Sequence, residues 1–252
     1  MLMFQSPPPT RYDLRFTIAG IPVRVHPVFW LLTLLLGASG DLILIPIWLL
    51  VVFVSILVHE LGHALAFRRY GQRSHIVLHF AGGLTIPEPT YWGSGVANVY
   101  LSPNQNIFIS LAGPGAGFLL AALVIATVLL TGGSIGTSWL FGILPLPLAA
   151  ELPFGGSILN LFVRLMLWVN IFWGLVNLLP VFPLDGGQVT RNILIQYDPV
   201  NGVRKSLWLS VIVGGIFALV GLIYFGSIFM ALLFGLLAFQ SYQSLQGRAI
   251  GF

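Results

Sequence analysis

The sequence predicts an all-α polytopic membrane protein of about six transmembrane helices, with a small membrane-proximal β-hairpin or sheet between the second and third. Three observations lead there. Hydrophobic residues make up 57% of the 252 and charged residues only 7%, against about a quarter charged in a soluble domain. So few charges cannot cover a surface facing water. The apolar residues gather into six runs. Between the second and third runs, residues 71–104 are too polar and too often broken by Gly and Pro to cross a bilayer.

Taken in order, residues 1–20 read as a polar tail containing Pro7, Pro8 and Pro9. They lack the basic start and apolar core of a cleavable signal peptide, so the first span is expected to direct insertion itself. That run, residues 27–39, is short. Its apolar core rises about 20 Å against roughly 30 Å of hydrocarbon, so it is expected to extend backwards through Ile21 and Val25 or to tilt little. The second run is 42–67 and the third 107–130. In the insert, residues 74–80 are strand-like, Gly82 and Gly83 offer a turn, and residues 84–86 continue as a strand. Residues 131–156 read as a loop with a re-entrant or interfacial piece at 139–150. The fourth run is 158–179. The fifth, 207–225, and the sixth, 228–239, are separated only by Gly226 and Ser227 and predict a tight antiparallel hairpin. Residues 240–252 form a tail. One membrane domain is expected to fill the chain.

Basic residues set the orientation. Arg11, Arg15 and Arg24 precede the first run, Arg68, Arg69 and Arg73 follow the second, Arg191, Arg204 and Lys205 follow the fourth, and Arg248 follows the sixth. Six crossings put all of them on one side, leaving Asp41 and Glu151 in the opposite loops and Arg164 inside the fourth run, where it can snorkel outward. The positive-inside rule then places both termini in the cytoplasm of a multi-pass cell-membrane protein. The net charge of +4 is spread between apolar runs rather than clustered, so the expected partner is the lipid bilayer and not nucleic acid. With no Cys, disulfides and thiolate metal sites are excluded, and any metal must be held by His and carboxylate.

The second run carries His59-Glu60-Leu61-Gly62-His63. Helical residues four apart share a face, so His59 and His63 can present two imidazoles to one zinc ion. Glu60 stands beside them, placed to take a proton from a water that zinc has acidified toward neutrality. His59 lies roughly 13 Å along the helix from Arg68, inside the span. Ionisable groups at that depth cost roughly 2.5–3.5 kcal/mol each on insertion scales, which demands a purpose. A catalytic zinc also needs a third protein ligand. Asp13, Asp41, Glu88, Glu151 and Asp198 fall in loops or tails, whereas Asp185 ends a long apolar segment. It is the candidate third ligand, its bland alternative being the cap of a helix starting at Gly186. Pro180, Pro183, Gly186 and Gly187 mark broken backbone around it.

The helix-borne His-Glu-Leu-Gly-His motif and the downstream run from Asn177 through Pro180 and Pro183 to Leu184-Asp185-Gly186-Gly187 resemble the site-2 protease family of intramembrane zinc metalloproteases. Val25-His26-Pro27, Gly82-Gly83 and Ala112-Gly113-Pro114 fit the same pattern, so the resemblance runs from about His26 to Gln188. The family often carries an Asn a few residues beyond the Gly-Pro, where this chain has Gly117 and Phe118. The resemblance implies one zinc per chain held by His59, His63 and Asp185, with Glu60 as general base and later acid. It also implies that Asn177 helps hold the scissile carbonyl, and that the substrate is a transmembrane protein. An interhelical hydrogen bond is the alternative for Asn177, and packing is favoured for Asn170. His75 and His79 read as surface histidines and His26 as an interface residue, while Gly113, Gly115, Gly117, Gly214, Gly215 and Gly221 read as close-packing positions. The strand edge near Gly82-Gly83 is the candidate for capturing an unwound substrate. Rival readings are a catalytically silent relative or an ion-binding transporter. The transporter predicts inverted repeats that the sequence does not contain.

Overall fold

The structure is a computed structural model that describes residues 6–37, 44–80, 82–92, 95–97, 101–140, 142 and 144–247. Asp41 and Arg248, which entered the charge argument, lie outside the described residues. The chain divides by its contacts into two units. One runs up to residue 99 and resumes over 112–175, and the other holds 100–111 and continues from 176.

The first unit starts with strands β1 (Leu14–Ile18) and β2 (Ile21–Val25) and helices α1 (Pro27–Gly37) and α2 (Leu44–Arg69). It continues with strands β3 (Ser74–His79), β4 (Gly82–Pro87), β5 (Thr90–Trp92) and β6 (Gly95–Ala97). Residues 21–25 do not prolong the first helix, as expected from the sequence, but form β2. Ile21, Val23 and Val25 are buried while Pro22 faces out and Arg24 is half-exposed. That period of two belongs to a strand. Ala19 and Gly20, at φ 50° and 78°, turn the chain back into β1, so the polar tail expected over 1–20 already contains a strand. Pro27 then suits a first helical position, and Val28 N–H donates to His26 Nδ1 at 3.3 Å.

Strand order is β1-β2-β3-β4, with β2 and β3 parallel and the other neighbours antiparallel. The connection between the parallel pair is α1 plus α2, so the chain leaves this sheet through α1 and returns to it through α2. Arg15 and Arg24 therefore share a side with Arg68 and Arg73, and Arg68 Nη1 donates to Ala19 O at 2.8 Å. The apolar sheet face packs Val23, Val25, Ile76 and Leu78 against Phe29, Leu57 and Ala64. Gly82 pairs with His79 and Gly83 with Leu78, so these glycines open β4 instead of forming the turn.

Helix α3 (Pro103–Leu130) runs through both units. Beyond it, β7 (Ser134–Leu140) and β8 (Leu144–Glu151) pair as a hairpin where the sequence suggested a re-entrant or interfacial piece. Pro145 and Pro147 disfavour a helix there. Gly142, at φ 67°, lies between the strands. Leu146 and Ala150 are buried with Ala121, Val128, Val163 and Leu167. The following span is composite: α4 (Gly156–Trp168), a π turn (Val169–Trp173) and α5 (Gly174–Asn177).

The second unit contains α6 (Asp185–Tyr197), α7 (Gly202–Ile223) and α8 (Ile228–Leu245). Helix α8 continues past Phe239 into the stretch read as a tail. Gly221 lies against Met230, Gly214 against Ala238 and Trp208 against Tyr242, a pairing that makes α7 and α8 antiparallel. Gly226, at φ 59°, turns the chain, and Ser227 Oγ accepts from Met230 N–H at 3.2 Å to cap α8.

Among the described residues, five helices are long and apolar enough to cross a membrane: α2, α3, the composite Gly156–Asn177, α7 and α8. Helix α1, at 11 residues, rises only about 16 Å, roughly half the hydrocarbon core. The first expected span, 27–39, is described only over Pro27–Gly37, and residues 38 and 39 lie outside the described residues. Leu119 and Leu123 on α3 and Ile216, Leu219 and Ile223 on α7 point outward. So much exposed apolar surface marks a membrane-facing exterior, and the chain is a multi-pass membrane protein.

Candidate metal centre

His59, Glu60 and His63 occupy consecutive turns of α2. The Nε2 atoms of His59 and His63 face each other at 3.1 Å. Two nitrogens bound tetrahedrally to zinc at about 2.0–2.1 Å stand roughly 3.3 Å apart, so the pair fits a shared ion. Asp185 opens α6. His59, His63 and Asp185 each offer one ligand atom, and these atoms all lie within 4.8 Å of one another. Two imidazoles and a carboxylate are a donor set that suits catalytic zinc and leaves its fourth position free.

Two glycines shape the space around the pair. Gly62 faces α3, where a Cβ would lie 2.3 Å from Ala112 O and 2.8 Å from Ala116 Cβ. Gly113 on α3 faces the imidazoles themselves, its hypothetical Cβ lying 2.2 Å from His63 Nε2 and 2.8 Å from His59 Nε2. The sequence reading gave Gly113 a general packing role; its neighbours are the two candidate metal ligands. Among the described residues, Gly115 and Gly215 have open space where a Cβ would be, so neither is a close-packing position there.

Glu60 is buried at 5% exposure and seated on β4. Thr85 Oγ1 lies 2.6 Å from Glu60 Oε2 and 3.0 Å from Glu60 O. A Cβ on Gly83 would lie 2.3–2.6 Å from Glu60 Cγ, Oε1 and Cδ. Gly83 and Thr85, two apart on a strand, share a face. Sequence reasoning missed Thr85, because only the fold brings it to a residue 25 positions earlier.

Around Asp185, Gly186 and Gly187 let α6 start directly against the preceding segment. A Cβ on Gly186 would lie 2.0 Å from Leu178 O, and one on Gly187 2.5 Å from Val181 C. Phe182 N–H donates to Ser210 Oγ at 3.0 Å, tying that non-helical segment to α7. Asn177 ends α5 half-buried, and its amide makes no side-chain hydrogen bond among the described residues. Asn170, in the π turn and 4% exposed, donates through Nδ2 to Ser55 Oγ at 2.9 Å and to Met166 O at 2.8 Å. That joins the composite span to α2.

His75 lies 3.4 Å from Glu88 at the sheet surface. His79 is not a surface histidine, as the sequence suggested, but is 2% exposed. Burial, helped by the charges of His26 and Arg24, lowers its pKa from 6.5 to about 4. As pH falls, the unfolded chain therefore takes up this proton first. Stability is fully present above about pH 6.5, declines toward pH 4 and levels below it, by an amount on the order of 3 kcal/mol. Thermal unfolding in detergent should show the melting temperature dropping between about pH 7 and about pH 4.5, with a flatter profile for His79→Gln. Equal slopes for the two proteins would assign the effect to another group.

The model of peptidase family M50 matches residues 47–222, a stretch that contains all three candidate metal ligands. The chain belongs to peptidase family M50. Among the relatives of this M50 member is a zinc metalloprotease of Methanocaldococcus jannaschii, 30% identical over 218 residues, covering 84% of this chain and 54% of that protein. The chain thus spans about half the length of the curated relatives it matches. A solved structure, the site-2 protease from Methanocaldococcus jannaschii, superposes with a TM-score of 0.56 at 22% identity, covering 96% of this chain and 98% of that one. The M50 chain has the site-2 protease fold.

Proposed function

We propose that this M50 chain is an intramembrane zinc metalloprotease that hydrolyses peptide bonds of transmembrane substrates near the cytoplasmic side of the bilayer, in regulated intramembrane proteolysis. The observation that carries the reading is the grouping of His59, His63 and Asp185, with both histidines and the adjacent Glu60 on α2, a helix able to cross a membrane. The arrangement of basic residues supports a cytoplasmic location for both termini and for the β1–β4 sheet. The whole chain acts as one metalloprotease domain.

His59, His63 and Asp185 would hold the zinc. When bound, the ion supplies Lewis-acid chemistry, polarising a carbonyl oxygen and acidifying water. Glu60 accepts a proton from the attacking water as its oxygen bonds to the peptide carbon. The same carboxyl returns the proton to the amide nitrogen as the C–N bond breaks. Asn177 donates its amide N–H to the carbonyl oxygen as negative charge builds there. A helical substrate cannot react while its carbonyls are bonded internally, so the cut segment must unwind. Strand β4 lies at the edge of its sheet and seats Glu60, which supports a role in pairing with the extended substrate.

Metal removal tests the reading. A chelator-treated preparation in lipid should lose cleavage of a panel of transmembrane substrates, and stoichiometric zinc should restore it. Equal cleavage by treated and untreated protein, or no cleavage of any substrate by the zinc-loaded protein, would overturn the assignment.

A further inference from the structure

We propose that Thr85 is a positioning residue for the reaction, holding the Glu60 carboxylate in its working orientation through a hydrogen bond from β4. The inference rests on the reading of Glu60 as the proton-transfer group and adds a residue to it. Thr85 Oγ1 has two Glu60 oxygens within reach, Oε2 at 2.6 Å and the main-chain O at 3.0 Å. A hydroxyl has one proton to give. The shorter contact has the length of an O–H···O⁻ bond, whereas a main-chain carbonyl inside a helix already accepts from the following turn. The proton therefore belongs to the carboxylate.

The rest of β4 agrees. Gly83 lies against Glu60 Cγ, Cδ and Oε1 so closely that no side chain fits there. Gly83 limits where the carboxylate can lie, and Thr85 fixes how it turns. A bond to one oxygen leaves lone pairs on both for accepting a proton. This fixes a side chain with several rotatable bonds, which otherwise loses conformational freedom at each turnover. If the same strand edge receives substrate, proton acceptor and scissile bond are set by one strand.

Thr85→Val keeps the shape and removes the hydroxyl; Thr85→Ser keeps the hydroxyl. Infrared difference spectra of metal-free protein in lipid, wild type minus Glu60→Gln, isolate the Glu60 bands. Those bands should shift in Thr85→Val and return in Thr85→Ser. With zinc loaded, kcat in Thr85→Val should fall roughly 10- to 100-fold, the range for lost outer-shell hydrogen bonds, with KM and zinc content unchanged, and Thr85→Ser should recover most of it. Thr85→Ala provides the same comparison if the valine variant does not accumulate. An unshifted Glu60 band, a wild-type kcat without the hydroxyl, or a serine variant as slow as the valine one overturns the proposal. Absence of cleavage by wild type would instead overturn the protease reading, while the infrared comparison still decides whether Thr85 binds the carboxylate.

Discussion

Glu60→Gln is expected to abolish detectable peptide cleavage while the protein keeps its fold and about one zinc per chain. Glutamine matches glutamate in size, and its amide oxygen can still accept from Thr85 Oγ1, so the seat on β4 survives. The proposed ligands His59, His63 and Asp185 are untouched. An amide cannot take up the proton that must leave the attacking water, and it has none suited to give the departing nitrogen. General acid–base catalysis contributes typically 10²–10⁴-fold, and here both halves rest on one side chain, so the upper part of that range is expected. Initial cleavage rates and metal analysis on matched membrane preparations check it. A variant that cuts at more than about a tenth of the wild-type rate with full zinc would remove Glu60 from the proton path. A variant that loses zinc would show Glu60 to be part of the metal shell.

What the sequence made legible depended on how local each feature is. His59 and His63 are four residues apart, and helical geometry alone puts them on one face. Asp185 stood out because the other carboxylates fall in loops or tails, and the family resemblance gave it a role. The apolar runs identified the spanning helices because lipid-facing side chains need no partner to be recognised. The N-terminal strands were missed for the opposite reason. Five-residue strands such as β1 and β2 carry little signal, and β2 is secured by parallel pairing with β3, some fifty residues on. The β7–β8 hairpin hid behind apolar composition, although the alternation of Pro145 and Pro147 with Leu144, Leu146 and Leu148 disfavours a helix. His79 could not be placed because burial is a property of the assembled sheet. Thr85 reads from the sequence as one more strand residue, and Gly113 as one more packing glycine.

Gly113 makes the second large effect, since it turns a packing position into a condition for metal binding. Gly113→Ala should lower zinc occupancy and cut the cleavage rate roughly 100-fold, the cost of about 1 Å misplacement at a reactive centre. The added Cβ would stand 2.2 Å from His63 Nε2, where ordinary contact begins at 3.4 Å, so the ring must withdraw by about 1.2 Å. It would also stand 2.8 Å from His59 Nε2, so moving one imidazole does not free the other. Helix α3 cannot yield cheaply, because Ala112 is already packed on Gly62 without space for a methyl group. Two ligand nitrogens would then lose the 3.1 Å spacing that suits one ion. Helix propensity runs the other way, since alanine is favoured over glycine by about 1 kcal/mol. Overpacking, at about 1–3 kcal/mol, offsets that gain, so the metal-free protein should melt near or slightly below wild type while zinc affinity falls. Zinc titration beside a melting curve separates the two effects. Wild-type zinc affinity and rate in Gly113→Ala would mean that α3 does not press on the imidazoles, and its glycine would return to an ordinary packing role.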